Sequence, residues 1–229
     1  MPAILGSPLL AVHIADGILA WPWWSGGLLL AALLALFGAW RIRDEEIPQT
    51  ALLAAVFFVA SLIHVRVFPT SVHLLLNGLV GVVLGRRAAL AIPVGLFLQA
   101  ALIGHGGFLT LGVNSCVMVL PALLAWQMFT LLARLPSLKW HWFAIGVLIG
   151  SSSALATVVL NSLVLAWGGQ EDWLVLAQLV LLAHLPIVVI EAIVVGFAIS
   201  FLVQVKPDML GLAFREKREC PVESLPQKT

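Results

Sequence analysis

The sequence predicts an all-α polytopic membrane protein, a bundle of about seven transmembrane helices with its N-terminus outside and its C-terminus cytoplasmic. Three observations predict this class. Apolar residues make up 62% of the 229-residue chain and charged residues only 10%, with a mean hydropathy of +1.09. A soluble domain carries roughly 25% charged residues, so this chain has too few polar side chains to cover a globule. Its apolar residues also fall into runs near the about 20 helical residues that a hydrocarbon core of about 30 Å requires. Finally, threading those runs alternately across a bilayer gathers the basic residues on one side, as membrane insertion demands. Soluble enzymes, DNA-binding proteins and disordered scaffolds are excluded. A net charge of +1 offers no long-range field to attract nucleic acid.

In chain order, the expected spans are 24–40, 50–63, 72–84, 88–103, 111–132, 140–166 and 173–203. Charge or proline breaks the runs at 41–48, 86–87, 134–136 and 168–172, and weaker breaks fall around 64–71 and 105–112. Spans 50–63 and 72–84 are short for a crossing, which leaves room for re-entrant or tilted geometry. With the N-terminus outside, Arg41, Arg43, Arg86, Arg87, Arg134 and Lys139 lie in inner loops. The inner tail holds Lys206, Arg215, Lys217, Arg218 and Lys228, so of 12 basic residues only Arg66 is left outside. Segment 1–12 does not read as a cleaved signal peptide, because no Lys or Arg precedes its short apolar stretch. Segment 206–229 reads as a polar, solvated cytoplasmic tail. Cys116 sits in a span and Cys220 in that tail, which argues against a disulfide framework.

Ionisable groups in a bilayer are expensive and are the default functional candidates. On this topology His13, His64, His73 and His105 lie at or near the outer face, His184 lies mid-span and His141 inside. Several imidazoles on one rim suit a divalent transition metal; a single interfacial histidine can instead be a snorkelling side chain. His73 and Asn77, four residues apart, share one face of the third expected helix. Ser71 would orient the imidazole or cap that helix. Gly81 and Gly85 form a small-xxx-small pair that permits close helix approach. Ser153, Thr157 and Asn161 make a polar stripe that either bonds a neighbouring helix or lines a path. Glu191, seven residues after His184, is the one carboxylate well inside a span and reads as an anchor or a functional group. No Walker A pattern and no chain of membrane acids is present, so uphill transport would need partner subunits.

Four blocks resemble the CbiM/NikM family, the substrate-binding membrane components of energy-coupling factor (ECF) transporters for cobalt and nickel. They are His13-Ile-Ala-Asp-Gly-Ile-Leu, Thr70-Ser-Val-His-Leu-Leu-Leu-Asn-Gly, Gly104-His-Gly-Gly-Phe-Leu-Thr-Leu-Gly-Val-Asn114 and His184-Leu-Pro-Ile-Val-Val-Ile-Glu-Ala192. The resemblance runs from His13 to about residue 210. It implies capture of Co2+ or Ni2+ as cargo on the outer face, with no permanent cofactor. It also implies separate partners: a transmembrane coupling subunit of CbiQ/NikQ type, ATPase subunits of CbiO/NikO type, and a small CbiN/NikN-like membrane subunit. The expected location is the inner (plasma) membrane.

In that family a Met-His start supplies the terminal amine, the main-chain nitrogen of the histidine and its imidazole. A further imidazole comes from the TSVH block. Carried over, the imidazoles are those of His13 and His73, and the amine is that of Val12 if residue 12 is the true start. Segment 1–11 then reads as a non-native extension or mis-assigned start, followed by a membrane domain at 12–205 and the tail at 206–229. Without the amine, His64 or His105 would complete the set; otherwise His105 reads as mainly structural, in a tight glycine turn. Asp16 reads as a loop or helix-start acceptor. Two other classes compete. One is a non-transporting metal-sensing or assembly subunit. The other is an intramembrane serine protease, built from the serines at 151–153 with His184.

Overall fold

A computed structural model describes residues 13–67, 70–135, 141–171 and 173–212. Val12, segment 1–11 and most of the tail lie outside the described residues, as do the side chains of His64 and Ser71. The described elements are α1 (Trp21–Ala39), α2 (Ile47–Ser61), β1 (His64–Val67), β2 (Thr70–His73), α3 (Asn77–Leu84), α4 (Ala88–Ile103), α5 (Leu111–Leu132), α6 (Trp142–Gly168) and α7 (Leu174–Val205). Helices dominate, as composition predicts. The exception is one antiparallel hairpin, in which His64 stands opposite His73 and Arg66 opposite Ser71.

Among the described residues, five stretches are long and apolar enough, by length and composition, to cross a membrane: Trp21–Ala39, Asn77–Ile103 (which joins α3 and α4), Leu111–Leu132, Trp142–Gly168 and Ala177–Val205. Helix α2, at 15 residues, is about 22 Å long and falls short of a full crossing. Leu29, Leu36, Val175, Phe197 and Phe201 are each more than 60% exposed. That is an outer surface suited to lipid, whereas the polar residues Thr157, Asn77, His184 and Glu191 are buried.

The third expected span requires correction. Val72 and His73 belong to β2, and helix α3 begins only at Asn77 and runs eight residues. At about 12 Å it cannot span the hydrocarbon alone. Nor do α3 and α4 form one straight rod. A straight helix from 77 to 103 would hold its ends about 40 Å apart, yet the rings of His73 and His105, just beyond those ends, lie 5.3 Å apart. The chain therefore folds back at 85–87, where Gly85 takes φ +57, and α3 and α4 run antiparallel. His73 and Asn77 consequently do not share a helix face, whereas Gly85 both makes the turn and, like Gly81, lets the chain approach α5 closely, a Cβ there falling 3.1 Å from the Trp126 ring.

Helix α5 is central, packed by α1, α3, α4 and α6. Small residues set the closest approaches. A Cβ on Gly81 would overlap the Ala122 carbonyl of α5, and one on Gly146 would sit 2.6 Å from the Cα of Gly196 on α7. This is the backbone-to-backbone contact expected where hydrophobicity alone does not drive helices together.

Asn77 secures α3 sideways. Its amide donates to the Met118 carbonyl (3.2 Å) and to Thr157 Oγ1 (2.7 Å), joining three helices, while its oxygen accepts the Gly78 N–H. The polar stripe on α6 is thus accounted for in part by inter-helix bonding.

At the end of the bundle remote from His13, His73 and His105, Arg87 closes the loop after α1. Its guanidinium donates to the carbonyls of Gly38, Trp40 (2.9 Å) and Arg41 (2.9 Å) and to Glu46 (2.8 Å). The Arg87 side chain beside it, with the Arg43 N–H, lowers the Glu46 carboxyl to about 2.

Candidate metal site

The first described residues form an extended arm, residues 13–20, laid across the bundle end. Side chains from the start of α5 grip its backbone. Asn114 accepts the Ile14 N–H and donates to the Ile14 carbonyl, both at 3.0 Å, so one amide satisfies the residue after His13 in both directions. Thr110 Oγ1 donates to the same carbonyl at 2.7 Å. Asp16 accepts the N–H groups of Phe108, Leu109 and Thr110, each at 3.0 Å. Those are the unpartnered donors that precede a helix, and a carboxylate is favoured there by the helix dipole. Asp16 is therefore the helix-start acceptor its Asp-Gly context suggests. Farther along, Ala20 N–H bonds the Gly168 carbonyl and Gln170 N–H bonds the Ile18 carbonyl, tying the arm to the end of α6.

His105 comes from the turn that leaves α4. Gly104 and Gly106 take φ +64 and +83, a region that strains any residue with a side chain. The His105 N–H bonds back to the Gln99 carbonyl at 3.1 Å. A Cβ on Gly106 would lie 3.4 Å from the His13 Cβ, an ordinary van der Waals contact, so it is the backbone angle that calls for glycine there.

His73 ends β2 and is 1% exposed. Its Nδ1 lies 2.9 Å from the Leu74 carbonyl. A carbonyl only accepts, so the proton sits on Nδ1 and the lone pair on Nε2, the arrangement by which proteins orient a metal-binding imidazole. Just beyond, Leu76 adopts φ +48, which costs a non-glycine residue about 1–3 kcal/mol. The carboxylate of Glu191 holds this turn: it accepts the N–H of Leu75 and that of Leu76 (2.9 Å). Of the two roles open to Glu191, the geometry displays that of an anchor.

These three supports bring the rings of His13, His73 and His105 together. His13 and His73 stack with centroids 5.0 Å apart and planes 21° apart, and His105 sets its edge to both, at 4.9 and 5.3 Å. One ring nitrogen from each lies within 4.8 Å of the others. A cation about 2 Å from each nitrogen needs donors no more than about 4 Å apart, so small ring rotations complete the geometry. The sequence offered His105 either as a turn residue or as an alternative ligand; the fold places it both in the glycine turn and in the cluster. Among the other expected residues, Asn77 bonds helices rather than His73, and His64 is opposite His73 in the backbone register. His184 is remote from the cluster in role, with Nδ1 2.6 Å from the Val180 carbonyl of its own helix. The hydroxyls of Ser151, Ser152 and Ser153 bond carbonyls one turn back on their own helix.

Fold and site together define a class: a multi-pass membrane protein with three imidazoles gathered at one end of a helical bundle. The chain belongs to the CbiM family, whose model, described as the cobalt uptake substrate-specific transmembrane region, matches residues 13–209. Membership places it in membrane metal transport, as a transporter component rather than an enzyme. It is 35% identical over 200 residues to a Haemophilus influenzae protein whose name ascribes metal transport to it, covering 87% of this chain and 97% of that one. With the Sorangium cellulosum cobalt transport protein CbiM it shares 29% identity, over 87% and 94% of the two chains. A Methanocorpusculum labreanum protein named as a cobalt transport fusion, CbiMQ, is 27% identical; the match covers 91% of this chain and 38% of the fusion. Two solved structures share the fold. One, a transition metal transporter, has a TM-score of 0.68 at 24% identity and covers 91% of this chain and all of its own. The other, a truncated transition metal transporter, has a TM-score of 0.65 at 25% identity, covering 84% and 98%.

Proposed function

We propose that this protein captures a divalent transition-metal ion, cobalt or nickel, at the outer face of the membrane and is the substrate-specific component of an ATP-driven ECF-type importer. The single observation that carries this reading is the convergence of His13, His73 and His105, which come from an arm, a strand end and a helix turn far apart in sequence. Neutral imidazole is a good donor to cobalt and nickel and a poor one to magnesium or calcium. The His13 main-chain nitrogen, and the amine of Val12 where that residue is terminal, would complete a four-nitrogen set.

The position of the basic residues supports an outer site, since Arg41, Arg86, Arg87 and Arg134 fall toward the other end. Energy must come from other chains. The CbiMQ fusion supports a coupling partner of CbiQ type; ATPase subunits of CbiO/NikO type and a small CbiN/NikN-like subunit complete the proposed assembly.

The test is titration of the purified full chain with cobalt and nickel, read by native mass spectrometry, followed by uptake into vesicles with and without the coupling and ATPase subunits. One bound ion, lost in His73→Ala, with uptake only when the partners are present, is the expected result. No bound ion in the unmodified protein overturns the reading. Binding without partner-dependent uptake turns it into a sensor or assembly subunit.

A further inference from the structure

We propose that Glu191 is the positioning residue for His73, and that the metal site joins two halves fastened through different side chains. The inference rests on the reading of His13, His73 and His105 as the metal donors. One half consists of the arm and the 104–110 turn. Both are tied to the start of α5, through Asp16 to the N–H groups of Phe108, Leu109 and Thr110 and through Asn114 to Ile14. His13 and His105 belong to this half.

The other half carries His73. Its neighbouring main chain is gripped from α7, where Glu191 accepts the N–H groups of Leu75 and Leu76, two and three residues past the imidazole. Leu75 and Glu191 are 0% and 1% exposed, so water does not substitute for either partner. The described ion pairs both involve Glu46 at the far end, so Glu191 meets main-chain donors where a basic side chain would otherwise stand. Leu76 holds φ +48 only while something outside the turn fixes it. Asn77 fixes the helix laterally against Met118 and Thr157, but the turn that aims His73 is read by Glu191.

Glu191 thereby links the metal site to α7, while Asn77 ties the same segment to α5 and α6. Energetic coupling between two sites is reciprocal. If the Glu191 grip tightens metal binding, then the metal must tighten the Glu191 grip.

The decisive experiment is hydrogen exchange of the unmodified full-length protein with and without Co2+, paired with cobalt titration of Glu191→Gln. Cobalt should slow exchange at the Leu75 and Leu76 amides as well as across 105–110. Glu191→Gln, which keeps one acceptor and the side-chain shape, should weaken cobalt binding about tenfold or more, within the range seen when groups that orient metal ligands are changed. It should also shift the visible absorption bands of bound Co2+. A carboxylate that merely stabilised the fold would lower the melting temperature and leave affinity and bands of the folded fraction unchanged. That outcome, or protection confined to 105–110, overturns the proposal while leaving the metal reading intact. Failure of the unmodified protein to bind cobalt overturns both.

Discussion

The two ends of the bundle are built from similar parts and arranged to opposite effect. At one end Arg87, 4% exposed, has four hydrogen bonds to its terminal nitrogens, three to carbonyls and one to Glu46. The charged group is the centre and the backbone serves it. At the other end the polar side chains Asp16, Thr110, Asn114 and Glu191 serve the backbone, and what the backbone presents is three imidazoles with no acid among them. At the first end the terminal nitrogens of the charged group all meet protein acceptors, and only its Nε is left without one; at the second, on the proposed reading, the arrangement serves a metal ion.

Substitutions can separate the two ends. Arg87→Ala should be the most damaging, removing about 3 kcal/mol because three carbonyls and Glu46 lose their donor. Cobalt affinity of the folded fraction should stay within twofold; thermal melting in detergent and cobalt titration report the two quantities. A large affinity loss would show that the ends are not independent. His73→Ala should do the reverse, weakening cobalt binding at least a hundredfold, about 2.7 kcal/mol, with little change in melting. Asn114→Leu keeps the bulk of the side chain but releases both bonds to Ile14. Cobalt binding should weaken about tenfold, and proteolysis near residue 13 should accelerate; unchanged binding would mean that the arm holds its place without Asn114.

The smallest effect is one of pH. The Glu46 carboxyl falls from the ordinary 4.5 to about 2 in the folded protein. A lowered value means that its contribution is fully present above pH 4.5 and is lost as pH falls through about 2. With 28% of the side chain in water, this is about 1 kcal/mol once screening is allowed for. Acid melting between pH 4.5 and 3 should therefore be shallower in Glu46→Gln than in the unmodified protein.

Composition and apolar runs announce the membrane fold, because a bilayer leaves few alternatives to the helix. The failure at 72–84 has a local cause. Leu74, Leu75 and Leu76 stand only Asn77 and Gly78 away from the apolar run of α3, so hydropathy extends the helix backward through them. What stops it is a left-handed Leu76 and a carboxylate 115 residues away on another helix, neither of which leaves a mark in the neighbouring sequence. His13 and Asp16 were identifiable from a compact motif. His105 was visible as one of several outer-rim histidines and as an alternative ligand, set between glycines. The glycines foretold the turn, but the ring's destination depends on an arm that the 104–110 segment does not encode. Glu191 stood out for its cost in a bilayer, and only the fold shows what it holds.

That the grip on His73 comes from Glu191 also sets a timetable. During synthesis, 118 residues separate the emergence of His73 from that of Glu191, about 6–24 s at the usual about 5–20 residues per second. Through that interval His13, His73 and His105 can all be present in the membrane while the turn beside His73 has nothing to fix it. On the proposed metal reading, the cluster therefore matures only when the last helix arrives, and an unfinished chain would be a poor scavenger of metal.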